Sequence, residues 1–432
     1  MTVTYNPSDP NYFVPSDLRA EMTRVFDLCH GCRLCLHLCP SFPTLFDAID
    51  SHDGDVGRLT NAEADQVVDE CYQCKLCYNK CPYVPPHEWE LDFPRLMLRA
   101  KTVAKSTRRE GVAQRLSDEV LGRTDLVGVA SVTFSSLANR LLDTNSTVSR
   151  TAMEKTIGIA SQRLLPPYAK MRFSTWFSRR GRPFVRNRQS AVAVFPTCFI
   201  EYMDPEIGKA TVAVYEHNGV SCSVPTNAKC CGAPWLHGGD VEKFKKVAEK
   251  NVEVLAAEVG AGRSIVVAQP TCAYVIKKDY PLYLGTEQAA KVAEATFDTS
   301  EYLMKMYRQD KDSLARDFSG EIPENITYHA PCHLQAQNIG FKSRDLMKLT
   351  GAKISLVTKC SGIDGTWGYR AKNYQLAKRV AQNLAKAIDA APRGELVGDC
   401  HLANYSITEE TKRGVSHPMV VMARAYGLDI NT

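Results

Sequence analysis

Cys29-His30-Gly31-Cys32-Arg33-Leu34-Cys35-Leu36-His37-Leu38-Cys39-Pro40 and, 42 residues later, Cys71-Tyr72-Gln73-Cys74-Lys75-Leu76-Cys77-Tyr78-Asn79-Lys80-Cys81-Pro82 share one spacing, CxxCxxCxxxCP. Three thiolates on one tight turn can cap a face of a cubane iron–sulfur cluster. The fourth points away down the emerging chain and meets a sister cluster. The spacing therefore assigns Cys29, Cys32, Cys35 and Cys81 to one [4Fe–4S] cluster, and Cys71, Cys74, Cys77 and Cys39 to another. Structural zinc is the rival reading, but zinc takes paired CxxC or CxxC/HxxxH ligands rather than two full four-cysteine runs. Between the runs, Thr60-x-x-Glu63 has the form of a capping box opening a helix through residues 61–70.

The rest of the chain fits a globular, cytoplasmic protein of two or three domains. It has 432 residues, 44% hydrophobic and 23% charged. No apolar run reaches the roughly 18 residues of a membrane span, and the first residues lack the basic start and apolar core of a secretory signal. In a reducing compartment, 16 cysteines call for metal rather than disulfides. They fall in two groups of eight, Cys29–Cys81 and Cys198–Cys400. Residues 95–188 between them carry 19 Lys and Arg against 6 Asp and Glu. The expected organisation is a helical two-cluster ferredoxin domain over 1–94, a basic amphipathic connector over 95–188, and a cysteine-rich domain over 189–432, divided into halves at about 320. Pro166-Pro167 and residues 179–183 read as turn and linker.

The C-terminal domain alternates strand and helix patterns. An apolar run at 191–195 ends at Pro196-Thr197-Cys198. Asp240 starts a periodic helix that Gly260 closes, and a buried strand at 264–268 leads to Cys272. This predicts an α/β domain with a mainly parallel sheet, so the whole chain reads as α+β. The pattern is duplicated: Cys198, Cys230-Cys231-Gly232 and Cys272 are echoed by Cys332, Cys360-Ser361-Gly362 and Cys400. In each half the outer cysteines follow strands, where a parallel sheet gathers ligands. The glycine-rich stretch Gly362–Gly368 is either a tight turn or a place where backbone N–H groups approach sulfur.

On these motifs the domain resembles the "CCG" cysteine-rich domain of heterodisulfide reductase. With the ferredoxin module it is similar to the iron–sulfur subunits of anaerobic glycerol-3-phosphate dehydrogenase and of glycolate oxidase. In the reductase family each complete C…CC…CxxC motif holds a noncubane cluster through five cysteines. Here Val275 stands at the last position of the first copy, and Ser361 and Ala403 replace cysteines of the second. The expected ligand sets are Cys198, Cys230, Cys231 and Cys272, and then Cys332, Cys360 and Cys400. These would serve one or two further clusters, with convergence on a single shared site left open. His329, His333 and His401 flank the second set and are read as candidate completing ligands, proton relays or structural histidines. Cys222 fits neither copy and reads as a small apolar core residue.

The connector joins Arg95, Arg99, Lys101, Lys105, Arg108 and Arg109 to an apolar series from Leu126 to Leu142 and to Phe173, Trp176, Phe177, Arg179 and Arg180. Either it docks on anionic lipid at the inner face of the cell membrane, or it is a solvated basic face with an apolar side turned to the core. No nucleic-acid-binding motif accompanies it, and no dinucleotide loop or P-loop is present. The resemblance implies an electron-transfer subunit working between a partner flavoprotein, which oxidises glycerol 3-phosphate or a 2-hydroxy acid, and membrane quinone. The alternative is a catalytic thiol–disulfide reductase using a cluster at the cysteine-rich site; the identity of any catalytic residue stays open.

Overall fold

A computed structural model describes residues 5–107, 111–181 and 190–430. Arg108, Arg109 and the Arg182-Pro183 part of the expected linker lie outside the described residues.

The N-terminal region is helical. Helix Pro15–Cys32 carries Cys29 and Cys32 in its last turn and stops where Arg33 turns left-handed at φ 52°. Helix Ser41–Ser51 follows Pro40. Helix Asn61–Glu70 opens on the capping box expected there, with Thr60 and Glu63 each satisfying the other's backbone N–H. Helix Phe93–Thr107 closes the bundle. Its core includes Val25, Phe26, Phe42, Leu45, Phe46, Ile49, Leu96 and Met97, and Phe42 meets Phe93 with ring centroids 4.6 Å apart.

Two parallel four-stranded sheets form the C-terminal region. The first comprises β1 (Ser190–Val194), β2 (Val220–Ser223), β3 (Ser264–Val267) and β4 (Thr296–Asp298), in the order β2-β1-β3-β4. The second comprises β5 (Asn325–His329), β6 (Lys353–Val357), β7 (Glu395–Gly398) and β8 (Val415–Ser416), in the equivalent order β6-β5-β7-β8. The duplication read from the cysteines is thus a duplication of topology. Continuous apolar runs such as Ile265-Val266-Val267, fully buried, are what a parallel sheet covered on both faces requires. Helix Val241–Gly260 begins with the Asp240 carboxylate accepting the Lys243 N–H, as its sequence predicts.

The halves are not independent. One core joins Val192, Val194 and Val266 of the first sheet to Ile326, Tyr328 and Val397 of the second. The last helix, Pro418–Ala425, adds Met419 and Met422 to that core and packs on helix Pro205–His217 of the first half.

Helices Val112–Gly122, Thr124–Thr133, Ser135–Leu142 and Thr147–Ile157 build the connector. Many of its cations work inside the protein. Arg99 is buried and donates to the Asn11 and Tyr12 carbonyls and to Asp17. Lys105 and Arg370 share Asp118, each at 2.6 Å. Arg150 donates to the carbonyls of Ala160, Ser161 and Arg163, and Arg163 reaches Gly368 and Glu409 of the second half. Its exposed apolar residues are a separate feature: Leu116, Leu126, Val129, Phe134, Leu137, Leu141 and Val148 all face outward. Among the described residues, no helix is long and apolar enough to cross a membrane.

Candidate iron–sulfur sites

Local backbone geometry sets up the ferredoxin-like loops. Gln73 and Lys75, on either side of Cys74, adopt left-handed conformations at φ 63° and 62° and wind the second motif into a tight loop. The Cys29 thiol is pushed up by burial and by the charges of Cys35, Cys81 and Cys32, which mark its neighbours. Burial also raises the Cys39 thiol, followed by the charges of Cys74 and Cys71. Cys81 therefore sits with the first three cysteines and Cys39 with the second three. The groups adjoin, since Cys35 feels Cys74 and Cys77 feels Cys35.

Each cysteine-rich half places its cysteines at the carboxyl ends of its strands. Cys198 starts a helical turn just after β1, and Cys272 lies in a turn after β3; Cys332 and Cys400 occupy the matching places after β5 and β7. In the first half, Cys231 interacts with Cys230 and Cys272, and Cys198 with Cys230. Asn251 and Tyr280 clamp the pair by bonding the Cys230 and Cys231 carbonyls at 3.0 Å each. In the second half, Cys332 bonds Cys360 and also Cys74 of the ferredoxin-like region. The Cys360 thiol is held at about 7 by the hydrogen bond with Cys332, helped by the Tyr72 hydroxyl and the Gly362 N–H. The Tyr72 oxygen lies 3.1 Å from Cys360 Sγ, and the Gly362 nitrogen 3.3 Å from it.

Cys400 is placed differently from the other two cysteines of its half. Its Sγ accepts from Gln269 Nε2 at 3.2 Å. It lines a small cleft with Cys332 and Cys74, and shares an apolar cluster with Cys198, Phe199 and Ile363. The seven C-terminal thiols are thus divided between two places, with Cys400 between them, rather than gathered at one point.

The histidines separate by their partners. His333 uses both ring nitrogens, one with Thr271 Oγ1 and one with the Gln73 carbonyl, each at 3.0 Å. His329 bonds the Lys359 carbonyl at 3.0 Å and His401 bonds Gln269 Oε1 at 3.0 Å. Their other nitrogens are buried without a hydrogen-bond partner. Cys222 lies in β2 and packs against the shared core.

Three residues were not singled out in the sequence. Tyr72 bridges the two regions through Cys360. Gln269 joins Cys400 to His401 from the first half. Asp125, on the connector, accepts the Cys230 N–H at 3.0 Å, and burial, then the charge of Cys230, raises its carboxyl to about 6. Tyr72 and Gln269 adjoin cysteine motifs, a signal that was available; Asp125 has no local signal.

Among the described residues, no three His, Cys, Asp or Glu side chains close on one point as a single ion would need. The donors are sets of soft thiols, a chemistry that fits iron–sulfur clusters.

Comparison with known proteins agrees. Residues 192–277 and 326–409 each match the cysteine-rich domain CCG, and residues 22–107 match the Fer4-like domain of citrate utilization protein B. These domains and the thiol sets define an iron–sulfur protein that joins a Fer4-like region to two cysteine-rich halves. The chain is similar to one of the subunits of the anaerobic glycerol-3-phosphate dehydrogenase of Escherichia coli (strain K12), 26% identical over 313 residues, covering 72% of this chain and 77% of the relative. Lactate utilization protein A of an Exiguobacterium species is 27% identical over 190 residues, 41% of this chain and 74% of the relative. An uncharacterized iron–sulfur protein of Methanococcus maripaludis is 27% identical over 230 residues, 52% of this chain and 42% of the relative. The resemblance drawn from the motifs is borne out.

Proposed function

We propose that this chain carries single electrons between a partner flavoprotein dehydrogenase, acting on glycerol 3-phosphate or a 2-hydroxy acid, and membrane quinone. The observation that carries the reading is the succession of thiol sets. The Cys29 set adjoins the Cys39 set, which meets Cys332 and Cys360 through Cys74 and Tyr72; Cys400 then leads to the Cys198 set. Bound clusters would take and release one electron at a time where a flavin yields two. The chain's own part is to hold them close together. Cys29, Cys32, Cys35 and Cys81 would hold one [4Fe–4S] cluster, and Cys39, Cys71, Cys74 and Cys77 the other. Cys198, Cys230, Cys231 and Cys272 would hold a third, with Cys332, Cys360 and Cys400 available to a fourth.

The quinone side is supported by a groove of about 900 Å³ beside Cys230, whose lining includes Leu126, Val129, Phe177 and Trp235. Two of the connector's outward-facing apolar residues, Leu126 and Val129, line it, and such residues suit contact with lipid. Similarity to a glycerol-3-phosphate dehydrogenase subunit and to lactate utilization proteins supports the hydroxy-compound class.

Anaerobic purification with iron and sulfide counts tests the core of this reading. Twelve or more irons per chain are expected, about eight would leave the cysteine-rich halves empty, and zinc without iron would end the proposal. Sedimentation with anionic liposomes tests the membrane contact; no binding at low salt would remove it. A disulfide-reductase activity is favoured by one observation, the three thiols of the second half, one fewer than a fully thiol-ligated [4Fe–4S] cluster needs. Reduction of a disulfide by the pre-reduced chain would support it.

A further inference from the structure

We infer that Lys75 and Lys101 make the Cys39/Cys71/Cys74/Cys77 site the stronger electron acceptor of the two ferredoxin-like sites, and so direct electrons inward to the cysteine-rich halves. The inference rests on the proposal that both sites hold [4Fe–4S] clusters.

Lys75 lies inside the second motif, only 4% exposed, with Nζ 3.4 Å from Gln73 Oε1 and 5.1 Å over the Tyr274 ring. Lys101 comes from helix Phe93–Thr107, and its Nζ donates to the Cys71 carbonyl at 2.6 Å. Lys75 stands between the proposed ligands Cys74 and Cys77, and Lys101 is bonded to the backbone of a third, so both ammonium groups lie in the immediate surroundings of the inner site. Acids face them too: Asp92 and Asp279 feel Lys75, Asp69 faces Lys101, and Asp364 feels both lysines.

At the outer site, two cations near the cysteines are bonded directly to carboxylates. Arg24, on the helix that carries Cys29 and Cys32, is tied to Glu21 by two bonds at 2.8 and 2.9 Å, and Arg33, next to Cys32, pairs with Asp50.

Reduction adds a negative charge, and a fixed cation in a poorly solvated site favours it. Burial works in the other direction. Cys71, Cys74 and Cys77 are buried whereas Cys32 is exposed, so without the lysines the inner site would be harder to reduce than the outer one. The transfer is one electron: the outer site is oxidised, the inner site is reduced, and no bond or proton moves.

The test is an EPR-monitored redox titration of the full, anaerobically purified chain. Two reduction waves are expected from the ferredoxin-like region. Cys32→Ser, at the exposed outer ligand, should disturb the lower-potential wave and spare the higher. Lys101→Gln or Lys75→Gln should cut the reduced-to-oxidised ratio of the higher wave about tenfold at fixed potential, leaving the lower wave in place. Lys101→Arg should restore it. Lys101 lines a cavity of about 540 Å³, which has room for either replacement. Unmoved waves, equal movement of both, or loss of the higher wave in Cys32→Ser would overturn the inference with the clusters intact. Fewer than eight irons in the unaltered chain would instead overturn the cluster assignment beneath it.

Discussion

The two cysteine-rich halves share a strand order and differ in what they present. The first places four cysteines at its strand ends, with the paired Cys230-Cys231 clamped by Asn251 and Tyr280. The second has three, bonds Cys400 to Gln269 of the first half, and turns Cys332 and Cys360 toward Cys74 and Tyr72. Both halves pack on the ferredoxin-like region, the first through Leu98 in its core and Tyr274 under Lys75, but the second brings a thiol of its own to that contact, with the Tyr72 oxygen 3.1 Å from Cys360 Sγ. A duplicated backbone has therefore been put to two uses: one copy gathers its thiols beside the connector, whose Asp125 accepts the Cys230 N–H, and the other turns two of its thiols toward the ferredoxin-like region.

That contrast can be broken most forcefully at the paired position. Cys231→Ser should lower the iron count by about four per chain, while Ser361→Ala at the matching place should leave it unchanged; equal losses would erase the distinction between the halves.

Next come the glycines that follow the pairs. Gly232 and Gly362 both have positive φ, 88° and 67°. A Cβ on Gly232 would lie 2.8 Å from the Phe244 ring, but on Gly362 it would lie 2.1 Å from the Ala377 carbonyl, which is backbone of a helix. Gly362→Ala should cost about 3 kcal/mol or more, and Gly232→Ala about 2 kcal/mol. Comparing the two thermal midpoints checks the order, and a reversed order would mean that the second half yields more easily than its packing indicates.

The smallest effect is expected at the junction. Tyr72→Phe removes one hydroxyl from Cys360, a loss of about 1 kcal/mol. Hydrogen bonds to sulfur favour the reduced state, so any cluster held in the second half should become harder to reduce. A redox titration in which the first-half signal moved instead would misplace Tyr72 in the electron route.

Much of the fold was legible because its signals are local. The capping box at Thr60 and Glu63, the helix from Asp240 to Gly260 and the strand before Cys272 each depend on residues close in sequence, and each forms as expected. The duplication was legible from the cysteines alone. The connector was not: its composition suggested a basic surface, yet Arg99, Arg150 and Arg163 are buried and bonded to carbonyls or acids far along the chain. Charge counts give no information about which cations find internal partners. Asp125 was missed for the same reason, being 105 residues from the amide it accepts.

What the sequence determined by itself is the inventory of thiol sets and their placement at loop turns and strand ends, since covalent spacing over a few residues fixes which side chains share a turn. The tertiary structure alone decided the order in which those sets touch. The Tyr72–Cys360 contact spans 288 residues, and contacts of that range form only when separately folded surfaces pack, through shape and buried area that no short stretch of chain encodes.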